Sequence, residues 1–126
     1  MKTTFVQYVA VGTAGFLGAI SRLWVGQFCG KHFPTTFPVG TLVINITGSF
    51  FLGWFLTIAT RHTLPPTLRM AISIGFVGAY TTFSTFMDES HSLLRDGSGI
   101  KAMLNLFGSL LLGLMAVRLG IRLAGQ

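Results

Sequence analysis

Four long stretches without a charged side chain limit what this sequence can fold into more than any other feature. They cover residues 3–21, 33–60, 70–87 and 102–117. A helix needs roughly 17 to 25 predominantly apolar residues to cross the hydrocarbon of a bilayer. Because 51% of the chain is hydrophobic and only 10% is charged, a soluble domain of this length would lack polar residues for its surface. We therefore predict an all-α integral membrane protein surrounded by the lipid bilayer.

The four stretches predict four transmembrane helices within a single membrane domain spanning residues 1–126. Polar or proline-containing connectors separate the helices at residues 31–37, 61–65 and 96–98. None of these connectors is long enough to hold a second domain. We expect the helices at residues 4–30, 38–60, 66–95 and 99–123.

The basic residues are spread over the helix ends. The formal net charge is +6, but the nine Lys and Arg residues form neither a run nor a stripe, so nucleic acid is not an expected partner. Four spans place both termini on one side, and a nearly even division of basic residues hardly specifies an orientation. Either one residue or a partner protein decides the orientation, or the chain inserts both ways and pairs with its own inverted copy. The two sets are Lys2, Arg61, Arg69, Arg118 and Arg122 on the terminal side, against Arg22, Lys31, Arg95 and Lys101.

Asn45 lies near the middle of the second predicted helix, in PVGTLVINITGSF. An amide placed against lipid would leave its donors and its acceptor unpaired, so Asn45 must face protein or water. An interhelical hydrogen bond is one explanation, and a polar path through the bundle is the other. Thr41 and Gly48, about one turn to either side, form a small polar face with it.

Charged residues near the ends of the first and third helices have two interpretations. Arg22 can extend its guanidinium to the membrane surface, or it can attract anions to the mouth of a narrow passage. Asp88 and Glu89 follow the polar segment of helix three. They serve either as surface anchors or as partners for a cation.

The segment GFVGAYTTFSTF, at residues 75–86, carries more polarity than a lipid-facing helix tolerates. Glycine and successive hydroxyl residues weaken a helix. A broken membrane helix survives only where its freed backbone lines protein, water or an ion. Carbonyls freed at the end of the first half-helix would suit a small hard cation such as Na⁺, aided by the negative end of the helix dipole. The alternative is an unbroken helix whose hydroxyls bond back to the preceding turn.

Phe83 and Phe86 are one turn apart on a single helix face. The chain contains twelve phenylalanines, so packing alone can explain such a pair. These two, however, alternate with Thr82, Ser84 and Thr85. The positive edges of the rings, beside hydroxyl donors, can help to replace the hydration of an anion.

Three ordered motifs resemble the Fluc, or CrcB, family of fluoride channels. They are GFLGAISR at residues 15–22, FPVGTLVINITGSFFLG at 37–53 and GFVGAYTTFSTFMDE at 75–89. The resemblance covers essentially the whole chain, including its four-span layout. It implies an antiparallel, dual-topology homodimer with two fluoride pores, as a multi-pass protein of the plasma (cell inner) membrane.

The resemblance implies roles for residues of the second and third helices. The backbone carbonyls of Gly78 and Thr81, from both subunits, would hold a central structural Na⁺ where helix three is broken. Asn45 and the ring edges of Phe83 and Phe86 would line the fluoride path.

The resemblance implies further polar positions along that path. Arg22 would lie in a vestibule, and Ser84 and Thr85 would extend a polar track. Ser109 matches a pore-facing hydroxyl of the family. The family often has Tyr four residues before that serine, whereas this chain has Asn105. This difference leaves the contribution of the fourth predicted transmembrane helix to the pore less defined.

The implied function is passive, highly selective fluoride export, with no enzymatic activity and no catalytic residues. A small four-helix multidrug or cation exporter is one alternative, but it would need a carboxylate within the membrane to couple protons to its substrate. Asp88, Glu89 and Asp96 all come late in helix three or after it. A nonconducting assembly factor is the other alternative, and it would purify with a foreign partner and show no ion flux.

Overall fold

The computed structural model describes residues 3–126, and within them the protein is helical with no β-strand. Four helical spans are long and apolar enough to cross a membrane, which confirms the predicted class of an all-helical protein with four membrane-spanning helices. Lys2, which the charge comparison included, lies outside the described residues. The helices are α1 (Phe5–His32), α2 (Val39–Arg61), α3 (Pro66–Met70), α4 (Gly78–Tyr80), α5 (Phe83–Arg95) and α6 (Gly99–Gly125).

The helix ends follow local signals in the sequence. Thr4 caps α1, since its Oγ1 accepts from the N–H of Gln7 while Gln7 Oε1 accepts from the N–H of Thr4. After α5 the chain reverses at Gly97, whose φ is +75°. The N–H groups of Gly97 and Ser98 donate to the carbonyls of Leu94 and Leu93, at 3.1 and 2.8 Å. This pattern satisfies the last carbonyls of α5 and requires a left-handed residue, which glycine adopts without strain.

The third span, Pro66–Arg95, consists of several helical pieces. It begins with α3 and widens to a π-helix at Ala71–Val77, which we call the π segment. It then passes through α4 to Thr81 and Thr82, whose backbones are extended with ψ of 159° and 116°. Helical geometry resumes in α5, with Thr82 as its N-cap.

The four spans form two closely packed pairs. α1 lies against the π segment and α4, and α2 lies along α6. Glycines permit both approaches: a Cβ at Gly18 would overlap the backbone of the π segment, and a Cβ at Gly53 or Gly120 would overlap the facing backbone of α6 or α2. Small residues that let backbones approach closely are typical of membrane helix interfaces.

Arg61 joins α2 to the end of α6. Its Nη1 and Nη2 donate to the carbonyls of Ala124 and Gly125, at 2.7 and 2.9 Å. These carbonyls have no partner within the helix and carry the negative end of its dipole. The guanidinium therefore caps α6 and fixes its end against α2.

Candidate functional site

Asn45 bonds to both backbone groups of Thr82, the second of the two extended residues. The Thr82 N–H donates to Asn45 Oδ1 at 2.8 Å, and Asn45 Nδ2 donates to the Thr82 carbonyl at 3.0 Å. The side-chain amide thus pairs with the extended backbone as a neighbouring β-strand would. Of the two explanations offered for Asn45, the interhelical hydrogen bond is present. The second N–H of the amide makes no hydrogen bond to residues 3–126 and can donate to a ligand.

The same contacts release carbonyls at the end of α4. In an unbroken α-helix the N–H of Thr82 would donate to the carbonyl of Gly78, and that of Thr85 to the carbonyl of Thr81. Here the Thr82 N–H goes to Asn45, and the Thr85 N–H goes to Thr82 Oγ1 at 3.3 Å. The carbonyls of Gly78 and Thr81 therefore lose their usual helical donors. They are the two carbonyls that the family resemblance implied as cation ligands.

One cavity of about 450 Å³ lies between α2, the third span and α6. We call it the phenylalanine cavity. The rings of Phe83 and Phe86 line it, with centroids 6.2 Å apart and planes inclined by 59°. Phe86 is 5% exposed and Phe83 is 72% exposed, so one ring is fixed in the bundle and the other borders open space. Asn45 and Ser109 line the same cavity.

A second cavity, of about 600 Å³, lies between α1, α2 and α5, and we call it the polar cavity. Arg22 and Thr41 line it, together with Thr85 and Glu89. Thr82 lines both cavities, and its hydroxyl donates to Thr85 Oγ1 at 2.9 Å. Thr82 therefore lies between the two cavities.

Glu89 is bonded across the bundle. Its Oε1 accepts from Thr41 Oγ1 on α2 at 2.8 Å. Its other oxygen, Oε2, is buried and makes no hydrogen bond to the described residues. Asp88, by contrast, is exposed. The sequence did not decide whether Asp88 and Glu89 are surface anchors or partners for a cation. In the structure, Glu89 lines the polar cavity.

The structure brings most of the candidate residues into these two cavities. Ser84 and Gly78 are the exceptions, since both are exposed in the single chain and line neither cavity. Thr81 borders the phenylalanine cavity. Within residues 3–126, no cluster of three or more His, Cys, Asp or Glu side chains is placed to hold a metal ion.

Sequence reasoning missed one polar connection beside the phenylalanine cavity. Asn105 on α6 is fully buried, and its Nδ2 donates to Ser90 Oγ on α5 at 2.9 Å. The available signals were a serine one turn after Phe86 and an asparagine one turn before Ser109, both within apolar surroundings. The sequence motifs included neither Ser90 nor its link to Asn105.

Comparison with known proteins shows related sequences of similar length. Residues 9–121 match the family described as CrcB-like protein, Camphor Resistance (CrcB). A protein of Citrifermentans bemidjiense is 40% identical over 119 residues, which is 94% of this chain and 96% of that one. One of Acidobacterium capsulatum is 44% identical over 92% of this chain and 94% of its own, and one of Campylobacter lari is 43% identical over 89% and 92%. Each of the three is named fluoride-specific ion channel FluC.

Proposed function

The chain belongs to the CrcB family, and we propose that it is a fluoride-selective ion channel that passively exports fluoride from the cytoplasm and so gives fluoride resistance. The resemblance stated from three sequence motifs is confirmed by this membership. The observation that carries the proposal is the pair of cavities that meet at Thr82, where α5 begins. Polar side chains line both cavities, and the rings of Phe83 and Phe86 line one of them.

Passive export needs no coupled energy source. Hydrogen fluoride is a weak acid that crosses membranes uncharged and ionises in a less acidic cytoplasm, where its charge traps the anion. A membrane potential that is negative inside favours outward movement of an anion by about 2.3 kcal/mol per 100 mV. A selective channel therefore suffices for export.

The N-terminus of α5 suits an anion. It carries the positive end of the helix dipole, and its first N–H groups have no helical acceptor. The ring edges of Phe83 and Phe86 add weak positive potential. Asn45 can supply its second amide N–H as a donor in the same cavity, which Ser109 also lines. Conduction requires such donors in series, each strong enough to replace water and weak enough to release the ion.

The released carbonyls of Gly78 and Thr81 suit a structural Na⁺. They are hard oxygen ligands at the C-terminal, negative end of a helical segment. Two carbonyls from one chain leave a cation incompletely coordinated, and two more from a second copy would complete a four-carbonyl site. We place the break in the third span at mid-membrane and expect this ion at the centre of a homodimer.

We infer that the second copy is inverted, giving an antiparallel dual-topology homodimer with two pores. The nearly even division of basic residues supports this arrangement, because it gives neither orientation a clear advantage. The exposed ring of Phe83 supports it also, since the phenylalanine cavity is open on that side of the single chain. The chain is a multi-pass membrane protein, and we propose the plasma (cell inner) membrane as its location.

The test is an efflux assay on purified protein reconstituted in liposomes. Fluoride and chloride release are followed separately with ion-selective electrodes after a potassium ionophore sets the potential. We expect fast fluoride release and chloride release no faster than from protein-free vesicles. Equal release of both ions, or release of neither, would refute the proposal.

A further inference from the structure

The buried amide of Asn105 is the strongest polar feature that the proposed pathway does not use. Asn105 is fully buried, and it is the largest residue in the described chain of which this is true. A buried amide without hydrogen bonds is strongly unfavourable. Asn105 avoids that cost because its Nδ2 donates to Ser90 Oγ at 2.9 Å and its Oδ1 accepts from Ser109 Oγ at 3.4 Å.

Ser90 extends this connection to the backbone of Phe86. The Ser90 hydroxyl donates to the Phe86 carbonyl at 2.7 Å. Three successive hydrogen bonds therefore run from Ser109 on α6, through Asn105 and Ser90, to Phe86 on α5. Both ends of the series line the phenylalanine cavity, whereas Asn105 and Ser90 do not.

The direction of each bond is fixed by the chemistry of the groups. Ser90 has one hydroxyl hydrogen and gives it to Phe86, so its oxygen can only accept from Asn105. An amide N–H₂ fits this requirement, and an ionised carboxylate does not. The Asn105 carbonyl oxygen in turn holds the Ser109 hydroxyl.

We propose that Asn105 is a positioning residue that fixes the Phe86 ring and the Ser109 hydroxyl relative to each other in the fluoride path. The inference rests on the proposed channel function, and it concerns the relative placement of two helices rather than direct contact with fluoride. Without the amide, α6 keeps its apolar packing, but the distance between the ring edge and the hydroxyl is no longer fixed. A ring edge that is misplaced by a fraction of an ångström binds a small anion less well than a correctly placed ring edge.

The experiment uses two nearly isosteric substitutions, Asn105→Leu and Ser90→Ala, separately and together. The matched control is Phe107→Leu, at a ring that is 67% exposed on the same helix and lines neither cavity. Fluoride and chloride efflux are measured per folded dimer in liposomes. In detergent, 4-fluorophenylalanine at position 86 reports the surroundings of that ring by ¹⁹F NMR.

We expect each single variant to lower fluoride efflux about 2- to 10-fold, the range that one net hydrogen bond gives. Fluoride efflux through the double variant should equal efflux through the more impaired single variant, because both substitutions interrupt the same series of hydrogen bonds. The position-86 resonance should shift or broaden in both single variants and not in the control.

A purely structural role would lower the yield of dimer and leave the flux per dimer and the resonance unchanged, and that result would overturn the inference. Multiplicative losses in the double variant would overturn it as well. Wild-type vesicles that release no fluoride would refute the channel function itself. The ¹⁹F resonance would then decide on its own whether Asn105 positions Phe86. If Asn105→Leu fails to fold, the smaller Ser90→Ala change decides by the same two measurements.

Discussion

Replacing Asn45 by leucine tests how the extended segment is held in the membrane. Leucine has nearly the same shape as asparagine but cannot bond to the N–H or the carbonyl of Thr82. Interhelical side-chain hydrogen bonds in membranes average about 0.6 kcal/mol and reach about 1.7 kcal/mol. Because Asn45 makes two such bonds, Asn45→Leu should lower the free energy of unfolding by about 1 to 3 kcal/mol.

The assay is equilibrium unfolding of the purified protein by SDS titration in mixed micelles, followed by the fluorescence of its two tryptophans. Thr57→Val is the matched control on α2, since the Thr57 hydroxyl donates only to the carbonyl of Gly53 one turn earlier in the same helix. It should change stability by less than about 0.5 kcal/mol. If Asn45→Leu is as stable as Thr57→Val, then the amide does not hold Thr82, and the explanation for the released carbonyls is wrong.

Three further predictions concern close packing, helix capping and conduction. Gly18→Ala should destabilise the protein by about 1 to 3 kcal/mol in the same titration, because its Cβ would overlap the backbone of the π segment, whereas Gly12→Ala meets open space and should not. Arg61→Gln should accelerate amide hydrogen exchange in the last turn of α6, since it removes the guanidinium that caps that end. Phe86→Ile keeps apolar bulk but removes the ring edge, so fluoride efflux from liposomes should slow greatly while the dimer stays intact by size-exclusion chromatography.

Each of these predictions has a contradicting result. Equal stability of the two alanine variants would mean that α1 and the π segment are not in close contact. Unchanged exchange in Arg61→Gln would mean that the cap contributes nothing to the end of α6. Fluoride efflux at the wild-type rate in Phe86→Ile would remove the ring edge from the path.

The helices could be predicted from the sequence to within about two residues at each end. Hydropathy, charged residues and prolines determine where a membrane helix can begin and end, and all three signals are local. Pro38 and Pro66, for example, mark the starts of α2 and of the third span. The fold class followed from the same local signals, whereas the family came from the resemblance of three motifs.

The partners of the polar residues could not be predicted, because they depend on how helices rotate against each other. Asn45 was compatible with a hydrogen bond or a pore position, and only the docking of α2 on the third span shows its bonds to Thr82. The family resemblance implied that Ser84 belongs to a polar track, and the rotation of α5 places it outside both cavities. The spacing along the chain could single out Ser90 and Asn105 separately, but their hydrogen bond joins different helices, so it could not show that they are partners.

The dependence of Thr82 on Asn45 also constrains how the protein is made. A helix can enter the bilayer on its own only if its backbone groups are paired within it. In the third span, the N–H and the carbonyl of Thr82 are paired instead with Asn45 on α2. Its partner lies on α2, which the ribosome synthesises earlier, so the amide is already in the membrane when the third span arrives. We therefore expect synthesis from the N-terminus to favour formation of these hydrogen bonds, because Asn45 precedes Thr82 in the chain. A circular permutant that placed the third span before α2 should insert less efficiently, although every contact of the finished bundle would be the same.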